Sequence, residues 1–168
     1  MLRDKNLIPL SHQHQHALAM CVRIDRAVQA AGLDLPAWQA EVHQIFEQEI
    51  RIHFEAEEQV LFPAAVRLGL EPLVQELLQE HAILRESFSR AAAQIMDISE
   101  LHLFATKLSA HIRKEERQLF EAMQRLISPE QMQEIGAALE KELATASNAC
   151  ILPNDSTRLR SKAELKKL

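Results

Sequence analysis

Residues 53–64 read HFEAEEQVLFPA, and residues 111–122 read HIRKEERQLFEA. The two stretches share HxxxEExxLFxA and little else, so the shared positions mark what both must do. On a helix the histidine and the first glutamate of each stretch stand four residues apart, one above the other on a single face. Helix is the expected setting. Among 168 residues there are only 3 Gly and 6 Pro, aromatics make up 4% with no Tyr, and Ala, Leu, Glu and Gln recur throughout, a composition that favours helix over sheet. The length is that of one domain with enough chain to bury a core without disulfides.

Apolar spacing tells which way the repeated face points. Leu10, His14, Ala17, Cys21, Ile24 and Val28 alternate steps of four and three, the inner seam of a helix in a left-handed bundle. This first helix is expected from an N-cap at Ser11 to Ala31, with Gly32 as its stop. A second opens at Pro36 and carries Val42, Phe46, Glu49, His53, Glu57 and Val60 inward, with a kink at Pro63 and an end at Gly69. A third follows Pro72 with Val74, Leu77, His81, Leu84, Phe88, Ala91 and Ile95 inside. The fourth, capped by Ser99, points Leu101, Phe104, Leu108, His111, Glu115, Leu119, Ala122 and Leu126 inward. Ser128 and Pro129 start a shorter fifth helix reaching about Ala146. Short connections then predict an all-α, antiparallel up-down-up-down four-helix bundle with a short fifth helix. Residues 1–146 form that unit, residues 147–168 are a basic C-terminal tail, and the two copies of the repeat fall on helices running the same way.

Each long helix therefore carries one histidine on its inner seam, and two carry a carboxylate beside it. A buried carboxylate without a partner costs several kcal/mol, roughly, and a second one at the same depth repels the first. Imidazole nitrogens from His14, His53, His81 and His111 with oxygens from Glu57 and Glu115 make a nitrogen and oxygen ligand set. Such a set suits iron or manganese, is tolerated by zinc, and differs from the thiolate sets of structural zinc. Two metal ions, two bridging carboxylates and two imidazoles per ion fit the inventory best. Glu58 and Glu116 turn off the seam toward solvent-edge or supporting roles. Leu61, Phe62, Leu119 and Phe120 read as an apolar floor that excludes water. His12, His16, His43 and His102 read as surface residues, Cys21 as core and Cys150 as part of the tail.

Several function classes are disfavoured. The net charge is −5 and the basic excess sits in the tail, where five Lys or Arg stand against two acids. A nucleic-acid binder would show a basic stripe on its folded body, so no nucleic-acid partner is expected; the tail suits a protein partner. No apolar run approaches the ~18 residues needed to cross a bilayer, and the first residues lack the apolar core of a signal peptide. A soluble, cytoplasmic protein with no membrane partner is expected. Neither cysteine belongs to a CxxC pair. No histidine follows a glutamate at the three-residue spacing of ferritin-like carboxylate bundles.

The residues resemble the hemerythrin-like family, whose HHE cation-binding domain is a four-helix bundle holding a non-haem di-iron centre. The resemblance runs from Leu10 to Leu126. LSHQHQHALAMCVRI is similar to the family's first helix with its ligand at His14, HFEAEEQVLFPA to the second with His53 and Glu57, QEHAILRESF to the third with His81, and HIRKEERQLF to the fourth with His111 and Glu115. It implies two iron ions (Fe2+/Fe3+) joined by an oxo or hydroxo bridge and by the two glutamates, with oxygen, nitric oxide or peroxide as the small ligand. One departure matters. The oxygen carriers of the family place a second histidine four residues after the third-helix ligand, where this chain has Arg85, and end the fourth-helix motif in aspartate, where it has Glu115. With one imidazole fewer, sensing of a diatomic gas, peroxide chemistry, or holding and donating iron in response to nitric oxide become expectations comparable to oxygen carriage. An interaction module stapled by a structural metal is the remaining rival. No turnover, and so no catalytic residue, is evident.

Overall fold

The computed structural model describes residues 2–30, 33–146 and 153–158. These residues form five helices and no strand. Helix α1 spans Ile8–Gln29, α2 residues 35–67, α3 Glu71–Ala92, α4 residues 98–126 and α5 Pro129–Leu143. No helix among the described residues is long and apolar enough to cross a membrane. The expected stop at Gly32, Cys150 and most of the 147–168 tail lie outside the described residues. Within the tail, Thr157 is buried and its carbonyl oxygen accepts from Arg23 Nη1 at 3.2 Å.

Local signals set most boundaries. Asp34 caps α2 by accepting from the amide of Ala37, ahead of Pro36 in the first turn. Ser128 and Gln131 form a capping box for α5, and Gly69, at φ +81, closes α2 in the left-handed region that suits glycine. Two caps differ from expectation. Helix α1 starts a turn earlier, at Ile8 with Pro9 in its first turn, and Ser11 instead donates its hydroxyl to Glu116 at 2.7 Å. Helix α4 is capped by Asp97, in a capping box with Glu100, while Ser99 donates to Asp97. Helix α3 ends at Ala92, before Ile95, which is exposed; Met96 is buried in its place, with its amide donating to Gln39.

The inner seams of α2 and α4 depart from the alternation of threes and fours. Ile45, Glu49, His53, Glu57, Leu61 and Ala65 are all buried, as are His111, Glu115, Leu119 and Met123, each step being four. An ordinary helix would drift by roughly 40° per such step. Wide turns remove the drift: the amide of Arg51 bonds to the carbonyl of Phe46, that of Phe62 to Glu57, and that of Phe120 to Glu115, each five residues back. For this reason Leu61 and Met123 take the inward places expected of Val60 and Ala122, and Leu126 is left exposed. The interruption expected at Pro63 lies ahead of it, over Glu57–Leu61. Its counterpart Glu115–Leu119 contains no proline and is directly followed by none, so Pro63 is not the cause of the widening.

Buried apolar residues form two separate clusters. One gathers Met20, Ile24, Trp38, Val42, Phe88 and Phe104. The other gathers Leu10, Leu61, Phe62, Leu77, Phe120 and Met123, and α5 adds Met132, Leu139 and Leu143 to it. Along α1 the first cluster begins at Ala17 and the second ends at Leu10, which leaves His14 between them. Gly136 of α5 lets the N-terminal segment lie close, since a Cβ there would collide with the side chain of Asn6.

Candidate metal centre

Between those two apolar layers the four helices present His14 from α1, His53 and Glu57 from α2, His81 from α3, and His111 and Glu115 from α4, all buried. They fall into two groups. His14, His53, Glu57 and Glu115 form one, and Glu57, His81, His111 and Glu115 the other, so that both glutamates are common to the two; within each group the candidate ligand atoms lie within 4.8 Å of one another. Glu57 offers Oε1 to His53 Nε2 at 3.3 Å and Oε2 to His81 Nε2 at 3.5 Å. Glu115 Oε2 is 3.2 Å from His14 Nε2 and 3.3 Å from His111 Nε2. Neighbouring ligands at right angles around an ion with ~2.1 Å bonds are about 3.0 Å apart, close to these separations.

The outer ring nitrogens fix the orientation of the inner ones. Nδ1 of His14 donates to Glu116 at 2.7 Å, that of His53 to Gln13 at 2.8 Å, that of His81 to Glu58 at 2.7 Å and that of His111 to Glu80 at 2.8 Å. With the proton on Nδ1, each Nε2 presents a lone pair inward, the arrangement that metal-ligating imidazoles adopt. These lone pairs face each other in twos, His14 to His53 at 3.0 Å and His81 to His111 at 3.1 Å. Such contacts require a positive charge between them, either a shared proton or a metal ion. All four oxygens of Glu57 and Glu115 are buried without a hydrogen-bond donor, although an unpaired buried carboxylate is costly. A shared proton satisfies a nitrogen pair and leaves those oxygens bare, whereas a cation in each group satisfies both. The residues thus fit a pair of metal ions.

The protonation energetics agree. Burial alone would lower the imidazoles, yet the neighbouring carboxylates Glu115 and Glu116 raise His14 to about 9, and Glu115, Glu57 and Glu58 raise His81 to about 11. Burial and mutual repulsion work against ionisation of Glu57, but the surrounding imidazoles hold both it and Glu115 below the ordinary carboxylate range. Glu58 and Glu116 resist burial and fall to about 2, the former through His81 and Arg85, the latter chiefly through His14 and Ser11. The centre is a focus of ionised acceptors that attracts positive charge.

All six sequence-predicted residues are brought together. Glu58 and Glu116, expected at the solvent edge or in supporting roles, take the supporting one and orient His81 and His14. Gln13, Glu80 and Phe54 were not singled out by the sequence. Gln13 and Glu80 each directly precede a seam histidine and reach the histidine of the following helix, so the paired spellings QH and EH at 13–14 and 80–81 were the available signal. Phe54 stacks on His81 with ring centroids 3.8 Å apart, and Phe120 stacks on His14 at 5.5 Å. His12, His43 and His102 are exposed. His16 differs from expectation: it is half-buried, with Nδ1 3.1 Å from Oε2 of the buried Glu49, because Glu49 on the α2 seam demands a partner. Beside the site, Ala17, Ile50, Phe54, Leu108 and Ile112 line a cavity that touches His14, His53 and His111. It is just large enough for one water-sized molecule.

The family model of the hemerythrin HHE cation binding domain matches residues 9–123, the stretch that carries all six residues. No curated protein and no solved structure matches the chain.

Proposed function

The chain belongs to the hemerythrin HHE cation-binding family, and from that premise we propose that it is a non-haem di-iron protein that binds or senses oxygen, or another diatomic or peroxide ligand, at its iron pair. His14 and His53 would hold one ion, His81 and His111 the other, with Glu57 and Glu115 bridging. The observation that carries the reading is the set of four inward Nε2 atoms, facing each other in twos at 3.0 and 3.1 Å, beside four carboxylate oxygens that have no donor. Nitrogen and oxygen ligands without thiolate favour iron over the softer metals. Iron supplies reversible redox chemistry and exchangeable coordination positions; the chain supplies orientation and dryness. Gln13, Glu58, Glu80 and Glu116 hold each imidazole with its lone pair inward, while Phe54, Phe62 and Phe120 cover the rings. The small apolar cavity against His14, His53 and His111 has room for about one water-sized molecule beside the proposed pair.

An up-down-up-down course of α1 to α4 belongs to this proposal. It is supported by cross-helix contacts in which one number falls as the other rises: Ser11 with Glu116 and Asp25 with His102, His16 with Glu49 and Arg23 with Glu41, Glu58 with His81 and Phe46 with Phe88, Glu80 with His111 and Arg90 with Glu100. The parallel course of α2 and α4 then explains the repeat, whose two copies approach one site from opposite sides.

A second reading, an iron-holding protein that gives up iron in response to nitric oxide, is favoured by one observation. Arg85, at the place of a further imidazole, directs its guanidinium to Glu58 and not to the centre, so four imidazoles serve two ions. Elemental analysis of iron-replete protein, with optical spectra before and after oxygen and nitric oxide, tests both. About two irons per chain and a spectral response to oxygen support the first reading, and loss of iron on nitric oxide supports the second. One metal or none overturns both.

A further inference from the structure

We infer that the two ions of the pair are held unequally, and that Gln13 makes the ion between His14 and His53 the one that leaves first. The inference rests on the metal-pair reading above and concerns how the chain distributes its grip.

Three of the four imidazoles are backed by a carboxylate, each of them paired in turn with a cation. His14 gives its outer proton to Glu116, whose other oxygen meets Arg3 at 2.5 Å; His81 gives its to Glu58, which meets Arg85 at 2.7 Å. The two assemblies match further, since Arg3 lies over Phe120 and Arg85 over Phe54, and those rings stack on His14 and His81. On these two imidazoles the support is equal in kind. The difference lies with the remaining pair. His111 donates to Glu80, which also takes Lys114, whereas His53 donates to the neutral amide oxygen of Gln13.

A carboxylate accepting the outer proton pushes electron density toward the inner nitrogen and makes it a stronger ligand; an amide oxygen does so far less. One ion thus has two carboxylate-backed imidazoles and the other has one. Access runs the same way. The cavity beside the site is lined by Gln13 and by both imidazoles of the latter ion, His14 and His53, but by only one imidazole of the former, His111, whose companion His81 lies between Phe54 and Phe62. The weaker-held ion is also the one that turns both of its imidazoles to this cavity.

The test loads the full-length protein with ferrous iron without oxygen, adds a coloured ferrous chelator in excess, and follows release. The expected course is two phases of equal size. Glu80→Gln should speed the slow phase ten-fold or more, in keeping with the effect of outer hydrogen-bond partners on metal affinity, and Gln13→Glu should slow the fast phase. Circular dichroism of each metal-free variant checks that it is folded, and if Gln13→Glu is not, Gln13→Ala should speed the fast phase alone. Two ions released in a single phase overturn this inference and leave the metal-pair reading standing, as would a Gln13 variant that alters only the slow phase. A parent protein that takes up fewer than two ions overturns the metal-pair reading and this inference with it.

Discussion

Arg85 Nη1 lies 2.7 Å from Glu58 Oε1, and that same oxygen lies 2.7 Å from Nδ1 of His81. Arg85, one turn after His81, therefore acts on the centre from outside, by holding the carboxylate that orients His81. Removing it frees Glu58 to swing toward solvent. Arg85→Ala should lower the affinity for metal about ten-fold while costing the metal-free fold no more than about 1 kcal/mol, since the pair is partly exposed. Chelator competition and melting of the stripped protein measure the two effects; unchanged affinity would show that Glu58 needs no anchor.

The three histidines near the start of α1 should separate cleanly. His14→Ala removes an inward nitrogen and should sharply lower iron occupancy, whereas His12→Ala, at an exposed position, should leave occupancy and melting temperature alone. His16→Ala is a different case. It leaves the buried Glu49 carboxylate without its partner, at a cost of roughly 1–3 kcal/mol, with iron content retained. Loss of iron in the His16 variant and not in the His14 variant would mean that α1 is rotated about its axis.

Glu57 and Glu115 each belong to both groups, so Glu57→Ala or Glu115→Ala should empty the pair and not a single ion. Metal bound only by the folded chain adds to stability. Chelation should accordingly lower the melting temperature of the parent and leave that of either variant nearly unchanged. An equal shift in parent and variant would be incompatible with bridging.

Protonation gives the metal-free protein a pH dependence of defined sign. His14 and His81 are raised from 6.5 to about 9 and about 11 when folded, so the folded chain binds these protons more tightly than the unfolded one. The stability they contribute is fully present below pH 6.5 and is lost as pH rises through 9 and then 11. The stripped protein should melt at lower temperature at pH 10 than at pH 7, whereas the metal-loaded protein, its Nε2 atoms occupied, should show a much smaller change. A stripped protein that gains stability over that interval would contradict the assignment.

Much of this was legible in the sequence. Seam positions taken by His14, His53, His81 and His111 amid Leu, Val and Phe identified the inward residues, because helical periodicity alone decides which side chains share a face. HxxxE identified Glu57 and Glu115 for the same reason. Glycine and proline marked the ends of α2 and the start of α3 correctly. Ser11 and Ser99 were misread as caps, since a hydroxyl in the right local place can be claimed by another partner, Glu116 in one case and Asp97 in the other.

The sequence by itself determined the helices, the inward histidines and the repeat, all of which depend on residues within a turn or two of each other. Only the tertiary structure decided that Glu58, Glu80, Glu116 and Gln13 orient the imidazoles, and that Arg3 reaches Glu116 across more than half the chain. It likewise decided the widened turns at Glu57–Leu61 and Glu115–Leu119. Those depend on where neighbouring helices lie, and a carboxylate one residue past a seam has no preferred partner until the next helix is packed beside it.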